Sequence, residues 1–474
     1  MAGEKLSKEG FALTGYQIRI LVTYLLGVFL GALDQSILGP ALTTIERDFN
    51  ISPKWGVWTV TVYTLVYAAS MPITAKIADR YGRRKVFMAG IGLFALGSLF
   101  SGMATSLYPL LLGRAIQALG GGGILPVAVA EIGLAFPKEK RGRALGFYGA
   151  TWGIASIVAP ILGGVVIQYL SWPWLFWINI PAGLLVIGLA TGLIEDMEPQ
   201  VKPMDWTGAF IVGATIFCFM LGLTHIQGQR GWEGVFMPNV YLFLLAGLVL
   251  TRLLIQFEKR ADDPVVNPKF FRNPRLLLIY IIAAISGMIM LSIIFLPAYV
   301  EYVLHYPPGK ASYMVVPLAL ASVVTSPLGG AIVDRFGAPR TMVLGFGCSM
   351  IGSLILAALV KLIGSPVDVS FIHVIVVTVG FIFFGSGLGL IVGSPLNVMV
   401  IGEVEREEVS SGLAVMTVIR SFGNTLGPVI LGGLLAAATA LERPRDGFFD
   451  MFIVGALIAL MGLLLTLRLK RKMI

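Results

Sequence analysis

Charge is what this sequence has least of. Only 13% of its residues are Asp, Glu, Lys or Arg, about half the roughly 25% found in soluble domains. A chain of 474 residues so poor in charge cannot cover a water-facing surface. With 57% apolar residues and a mean hydropathy of +0.86, it reads as an all-α polytopic membrane protein. Cysteine is nearly missing: Cys218 and Cys348 both fall in apolar runs, which excludes a disulfide framework or a Cys-x-x-Cys metal site. The three histidines, His225, His305 and His373, are scattered near the ends of apolar runs, so no metal site is expected. A Walker-type phosphate loop is absent, which argues against ATP as the energy source. There is no nucleophile–base motif either, so neither an enzyme nor a cofactor is expected. The first apolar run is long and lacks a small-x-small cleavage site, so no cleaved signal peptide is expected. A net charge of +9 does not point to nucleic acid, because the basic residues lie in short loops between apolar runs.

What is present is a series of runs near the ~20 residues a bilayer-crossing helix needs. Fourteen are expected, at about 17–39, 56–76, 86–105, 107–134, 144–169, 173–194, 207–225, 239–257, 276–303, 311–333, 341–362, 370–401, 409–438 and 447–467. Positive residues favour the cytoplasmic side of a membrane. With the N-terminus inside, 26 of the 35 Lys and Arg are assigned to the cytoplasmic side and 7 to the outside, which leaves Arg114 and Arg420 deep within spans. The opposite orientation would put Arg80–Arg83–Arg84–Lys85 and Lys138–Lys140–Arg141–Arg143 outside. Both termini are therefore expected in the cytoplasm.

The chain repeats itself. AKIADRYGRRK at 75–85 follows the second span, and GAIVDRFGAPR at 330–340 follows the tenth. Asp79 and Arg80 thus match Asp334 and Arg335. Pro126 precedes Gly163 by the same 37 residues that separate Pro395 from Gly432. Two six-helix halves, 1–194 and 276–474, with a pair of spans and a linker inserted at 195–275, account for this pattern. Repeated halves around a site near the midplane are the usual build of secondary transporters.

These motifs resemble the major facilitator superfamily, in its fourteen-span drug:proton antiporter branch. ADRYGRRK is similar to the family's loop 2–3 signature at Asp79, Arg80, Gly82, Arg83 and Arg84. LLGRAIQALGGG resembles the fourth-span signature at Arg114 and Gln117, and GIASIVAPILGG the fifth-span antiporter signature at Gly153, Pro160, Gly163 and Gly164. LDQSILGPAL resembles the first-span signature at Leu33 and Asp34, and WLFWINIPAGLL also looks like that branch. The resemblance implies the major facilitator fold and a multidrug exporter of the plasma (inner) membrane. It also implies that the Asp79 loop is a conformational latch holding the cytoplasmic side closed.

Asp34 is the residue that demands a reason. A carboxylate inside a span costs several kcal/mol unless it is partnered or functional. At ~1.5 Å per residue it lies about 22 Å beyond Arg19, and Arg114 about 10 Å from the opposite surface. In a core ~30 Å thick the two share one depth. They form either a static pair fixing two helices or a proton-coupling site. Burial disfavours a carboxylate's charged form and a neighbouring cation favours it, so a site that exchanges these influences loads and releases a proton. Glu131 is a second candidate, or an interfacial partner of Lys138, Arg141 or Arg143. Arg420 is expected either to pair with an acid such as Glu403 or to face substrate. Gln117, Tyr63, Tyr67 and Trp152 are candidates for a cavity wall, the aromatics being equally suited to packing. Gly153, Gly163 and Gly164 allow close helix approach, and Pro160 bends its span.

The sequence therefore reads as a proton-coupled exporter of amphipathic or cationic drug-like compounds, expected to work as a monomer. A lipid exporter on the same scaffold and a non-transporting membrane sensor are the rivals. The Lys/Arg asymmetry makes a test of orientation: a cysteine at Lys269 should label from the cytoplasmic side, and one in 228–234 from outside. Labelling of position 269 from outside alone would reverse the assignment.

Overall fold

The computed structural model describes residues 13–194, 204–227, 234, 236–261, 263–307, 311–362, 371–441 and 443–471. Every regular element among them is helical. The main helices are α1 (Gly15–Ile37), α2 (Trp58–Tyr81), α3 (Arg83–Gly102), α4 (Leu107–Ala135), α5 (Lys138–Tyr169), α6 (Asn179–Ala190) and α7 (Trp206–Gln227). They continue as α8 (Pro238–Glu258), α9 (Pro274–Met290), α10 (Val316–Phe336), α11 (Ala338–Leu362), α12 (Phe371–Val392), α13 (Val409–Ala440) and α14 (Pro444–Arg471). Thirteen helical segments among the described residues are long and apolar enough to cross a membrane. The expected sixth span is the exception, a shorter apolar segment over Trp174–Ala190 that ends in α6. The expected outer loop at 228–234 lies almost wholly outside the described residues.

Local chemistry sets several ends. Thr14 and Gln17 form a capping box at the start of α1, each side chain bonding the other's backbone N–H. Asn273 caps α9 by accepting from the N–H groups of Arg275 and Leu276, with Pro274 in the first turn. α5 starts at Lys138, earlier than the apolar pattern indicates, because its first turn carries the charged residues of the loop. α9 passes through a 3-10 turn at Leu291–Phe295 before Leu296–Leu304 completes the span.

α1 to α6 pack together, and so do α9 to α14. The two groups meet along two seams, α5 against α10 and α2 against α13. α7 lies along the second seam, touching both α2 and α13, while α8 leans on α7 and turns Leu242, Leu245 and Val249 outward. The repeat is visible in the packing: Gly163 of α5 abuts Ile37 at the end of α1, and Gly432 of α13 abuts Phe295 beyond the end of α9.

The α5–α10 seam is built on small residues. A β-carbon on Gly146 would sit 2.9 Å from the backbone of Pro327 and Ser326, and one on Gly153 would sit 2.6 Å from the Val323 side chain. Gly142 and Gly149 complete the row, against Gly330 and Ser326. Of the four residues singled out on this helix, Gly153 and Gly163 therefore serve close packing. Gly164 does not, since it has open space around it. Pro160 is exposed inside the continuous α5. Gly146→Leu should cost about 1–3 kcal/mol by overpacking the seam, whereas Gly164→Leu should leave thermal stability in detergent unchanged. Equal melting of the two variants would contradict the packing.

Candidate functional site

Two polar constellations stand out, one inside the first half and one at the end where α2 meets α3. The inner one centres on Asp34, which is fully buried on α1. Arg114 of α4, 1% exposed, donates from Nη1 to Asp34 Oδ2 at 2.6 Å. Gln117, one turn on, donates to Asp34 Oδ1 at 2.7 Å and accepts from Arg114 at 2.7 Å. Asn179 of α6 adds a donor to Asp34 Oδ1 at 3.3 Å. Ser98 of α3 accepts from Gln117 at 2.8 Å and from Asn179 at 3.4 Å. Arg114 Nε also donates to the Thr59 carbonyl of α2 at 3.2 Å, and its guanidinium lies 4.1 Å from the Tyr63 ring centroid. Five helices thus converge on one carboxylate.

The expected pairing of Asp34 with Arg114 is present. Gln117, expected in a cavity wall, instead completes this cluster with no exposed surface. Ser98, Asn179 and Thr59 were not singled out from the sequence. Asn179 had a signal, being polar in an apolar run; Ser98 had none, because a lone serine in a helix commonly bonds its own backbone, as this one does to Phe94.

The second constellation joins the two halves. The Asp79 carboxylate accepts from the backbone N–H groups of Ser410 (3.1 Å) and Ser411 (2.7 Å) and from the Ser411 hydroxyl (2.9 Å). Those groups open α13, so the anion sits at the positive end of the helix dipole. Arg83 binds Asp79 at 2.8 Å and also donates to Ser410 Oγ and the Arg406 carbonyl. The second half answers in kind: Asp334 accepts from the N–H groups of Gly142 (2.6 Å) and Arg143 (3.0 Å), in the second turn of α5. Each half sets an aspartate on backbone N–H groups belonging to the other. Gly82 (φ 107°) and Gly337 (φ 86°) make the matching turns, a backbone region that L-residues with side chains rarely enter.

The other motif residues have separate duties. Arg80, 3% exposed, pairs with Asp263 of the 259–273 linker at 2.9 Å, and Lys76 joins the same carboxylate. Arg84 donates to the carbonyls of Thr191 and Leu193 at the end of α6. Arg335 is exposed. Glu131 lies 3.8 Å from Arg83, which brings it to the latch rather than to Asp34. Glu403 pairs with Arg275 at 3.7 Å and accepts from Asn273, so Glu403 is not the partner of Arg420.

The sequence model of the Major Facilitator Superfamily matches residues 24–203 and 206–428. The chain belongs to this superfamily. It is 37% identical over 420 residues to the uncharacterized MFS-type transporter YfiU of Bacillus subtilis, covering 87% of this chain and 79% of YfiU. Multidrug resistance protein 3 of Bacillus subtilis is 29% identical, with 87% and 78% covered. Riboflavin transporter RibZ of Clostridioides difficile is 26% identical, with 96% and 97% covered. Among solved structures, the human organic anion transporter MFSD10 shares the fold, with a TM-score of 0.64 at 14% identity, covering 94% of this chain and all of that one. The chain is thus a multi-pass membrane transporter of small molecules, with the major facilitator fold.

Asp79→Asn removes the charge that holds both Arg83 and the start of α13. In a background lacking Cys218 and Cys348, a cysteine at the buried Ala414 of α13 should then react with a water-soluble maleimide several-fold faster. Adding Asp334→Asn should increase the rate further. Unchanged reactivity in the double variant would deny the two aspartates a closing role.

Proposed function

We propose that this protein is a proton-coupled antiporter of the fourteen-span drug:proton branch, exporting amphipathic drug-like compounds by alternating access. Residues 1–194 and 276–474 act as the two rocking halves, with 195–275 as the insert. The chain lies in the plasma membrane with both termini and the Asp79 latch on the cytoplasmic side. The observation that carries the reading is Asp34: a carboxylate with no exposure in the membrane-spanning part of the chain, held by one cation and two amides. Intramembrane carboxylates mark proton relays, and breaking a buried pair costs about 3–5 kcal/mol, so this one is costly to keep.

The cycle follows from the contacts. With both aspartate latches made, the cytoplasmic ends of α2 and α13, and of α5 and α10, are held together. Opening that side breaks the latches and moves α1 and α4 with the first half. Water that reaches Asp34 in one state supplies its proton, and the return of Arg114 to Asp34 expels it in the other. Glu131, beside Arg83 at the latch, is placed to sense closure. The multidrug resistance relative supports drug-like cargo, and the name of the riboflavin relative puts riboflavin into the panel to be tried.

In liposomes with an imposed pH gradient, the wild-type protein should move dyes outward against protons. Asp34→Asn should bind the same dye yet show no gradient-dependent export, because an amide has no proton to release. Full coupling in that variant would remove Asp34 as the proton site. An absence of substrate-stimulated proton flux in the wild type would favour a sensor, and gradient-driven movement of lipid alone a lipid exporter.

A further inference from the structure

Arg420 is a second buried cation in a membrane-spanning helix, and its situation is the reverse of Arg114's. It lies on α13 with 7% of its surface exposed, its Nη1 has no hydrogen-bond partner, and no carboxylate lies within ion-pair distance among the described residues. An unpaired buried charge is expensive. The residues around it are also unsatisfied. Asn424, one turn along α13, has a buried Oδ1 without a donor. Across the α2–α13 seam the Arg420 charge reaches the Tyr67 hydroxyl, beside which Gln35 and Tyr148 lie. The Tyr63 hydroxyl and Nε1 of Trp152 are buried without partners, while the Tyr67 hydroxyl and Gln35 have only each other. Trp152 follows Tyr148 by one helical turn on α5. Tyr63 and Tyr67 stack with centroids 5.6 Å apart and planes 18° from parallel.

Buried polar atoms are ordinarily paired, so this many open donors around two stacked rings, drawn from both halves, describe a site awaiting an occupant. Its chemistry is one-sided. The free groups are chiefly donors, and the free charge is positive. The nearest acid on α1, Asp34, has both oxygens engaged by Arg114, Gln117 and Asn179, leaving nothing to balance a cationic guest. We infer that the transported compounds are aromatic anions, with a carboxylate or sulfonate paired to Arg420 and a ring system lying along Tyr63, Tyr67 and Trp152. Cationic compounds, which the sequence reading included among the expected cargo, are repelled by Arg420. The same geometry links cargo to protons. A ring pressed on Tyr63 bears on the aromatic face that Arg114 occupies at 4.1 Å, and through Arg114 on Asp34.

The inference rests on reading the chain as an exporter with its site between the halves, but its test needs no gradient. Fluorescein and rhodamine 6G share a xanthene ring system and differ in sign of charge at neutral pH. Their binding to the purified full-length protein is read by fluorescence anisotropy in detergent. Fluorescein should bind at least about tenfold more tightly, and Arg420→Gln should abolish that preference by weakening fluorescein binding and, with the repulsion gone, strengthening rhodamine 6G binding. Arg420→Lys, which retains the charge, should keep most of the preference and serves as the control if the Gln variant melts early. Tighter rhodamine 6G binding, or an undiminished preference in a folded Arg420→Gln variant, overturns the inference. A coupling failure with this binding pattern intact would count against the antiport mechanism alone.

Discussion

The first half is organised by the cost of one buried negative charge. Asp34 cannot stay ionised in a low-dielectric interior without a cation and donors for its remaining lone pairs. Arg114 supplies the cation, yet an arginine brings donors that must be satisfied in turn. Gln117, Thr59 and the face of Tyr63 meet that demand, and Ser98 and Asn179 orient the amides. The consequence is that α1, α2, α3, α4 and α6 are held in register by a single network. Moving any one of them alone would strand a polar group, so the half is disposed to move as a body.

The two halves are joined by a different physics. Their seams combine backbone-close packing along α5 and α10 with Asp79 set on the start of α13 and Asp334 on N–H groups early in α5. Helix ends present several backbone donors in a fixed fan, so they bind a carboxylate firmly and release it without leaving a side chain unpaired in lipid. Both contacts lie at one end of the molecule. The Asp34 ion pair lies apart from them, enclosed in the interior of the first half.

Much of this was legible because helices have fixed rise and membranes fixed thickness. Counting residues was enough to put Asp34 and Arg114 at one depth, and the Asp79–Asp334 repeat predicted two equivalent turns. What sequence does not carry is which face of one helix meets which face of another. The sequence offers Glu131 its neighbours Lys138, Arg141 and Arg143; that Arg83 of α3 also lies beside it could be read only from the fold. Glu403 was offered to Arg420 and belongs to Arg275. Gln117 was placed at a cavity and lies against Asp34, because its side of α4 could not be chosen without α3. Gly164 has the same composition cue as Gly163 and none of its contacts.

The linker between α8 and α9 is tied down at both of its sides. Asp263 holds Lys76 and Arg80 of the first half, and four residues later Asn267 donates to Glu408, just ahead of α13 in the second. Four residues reach at most about 14 Å when fully drawn out. While both ties persist, the segment is a leash of fixed length across the mouth of the molecule. It sets a limit to how far the halves can part before an ionic or amide contact must let go. The inserted portion of the chain is thereby tied to both repeats and does not merely lie beside them.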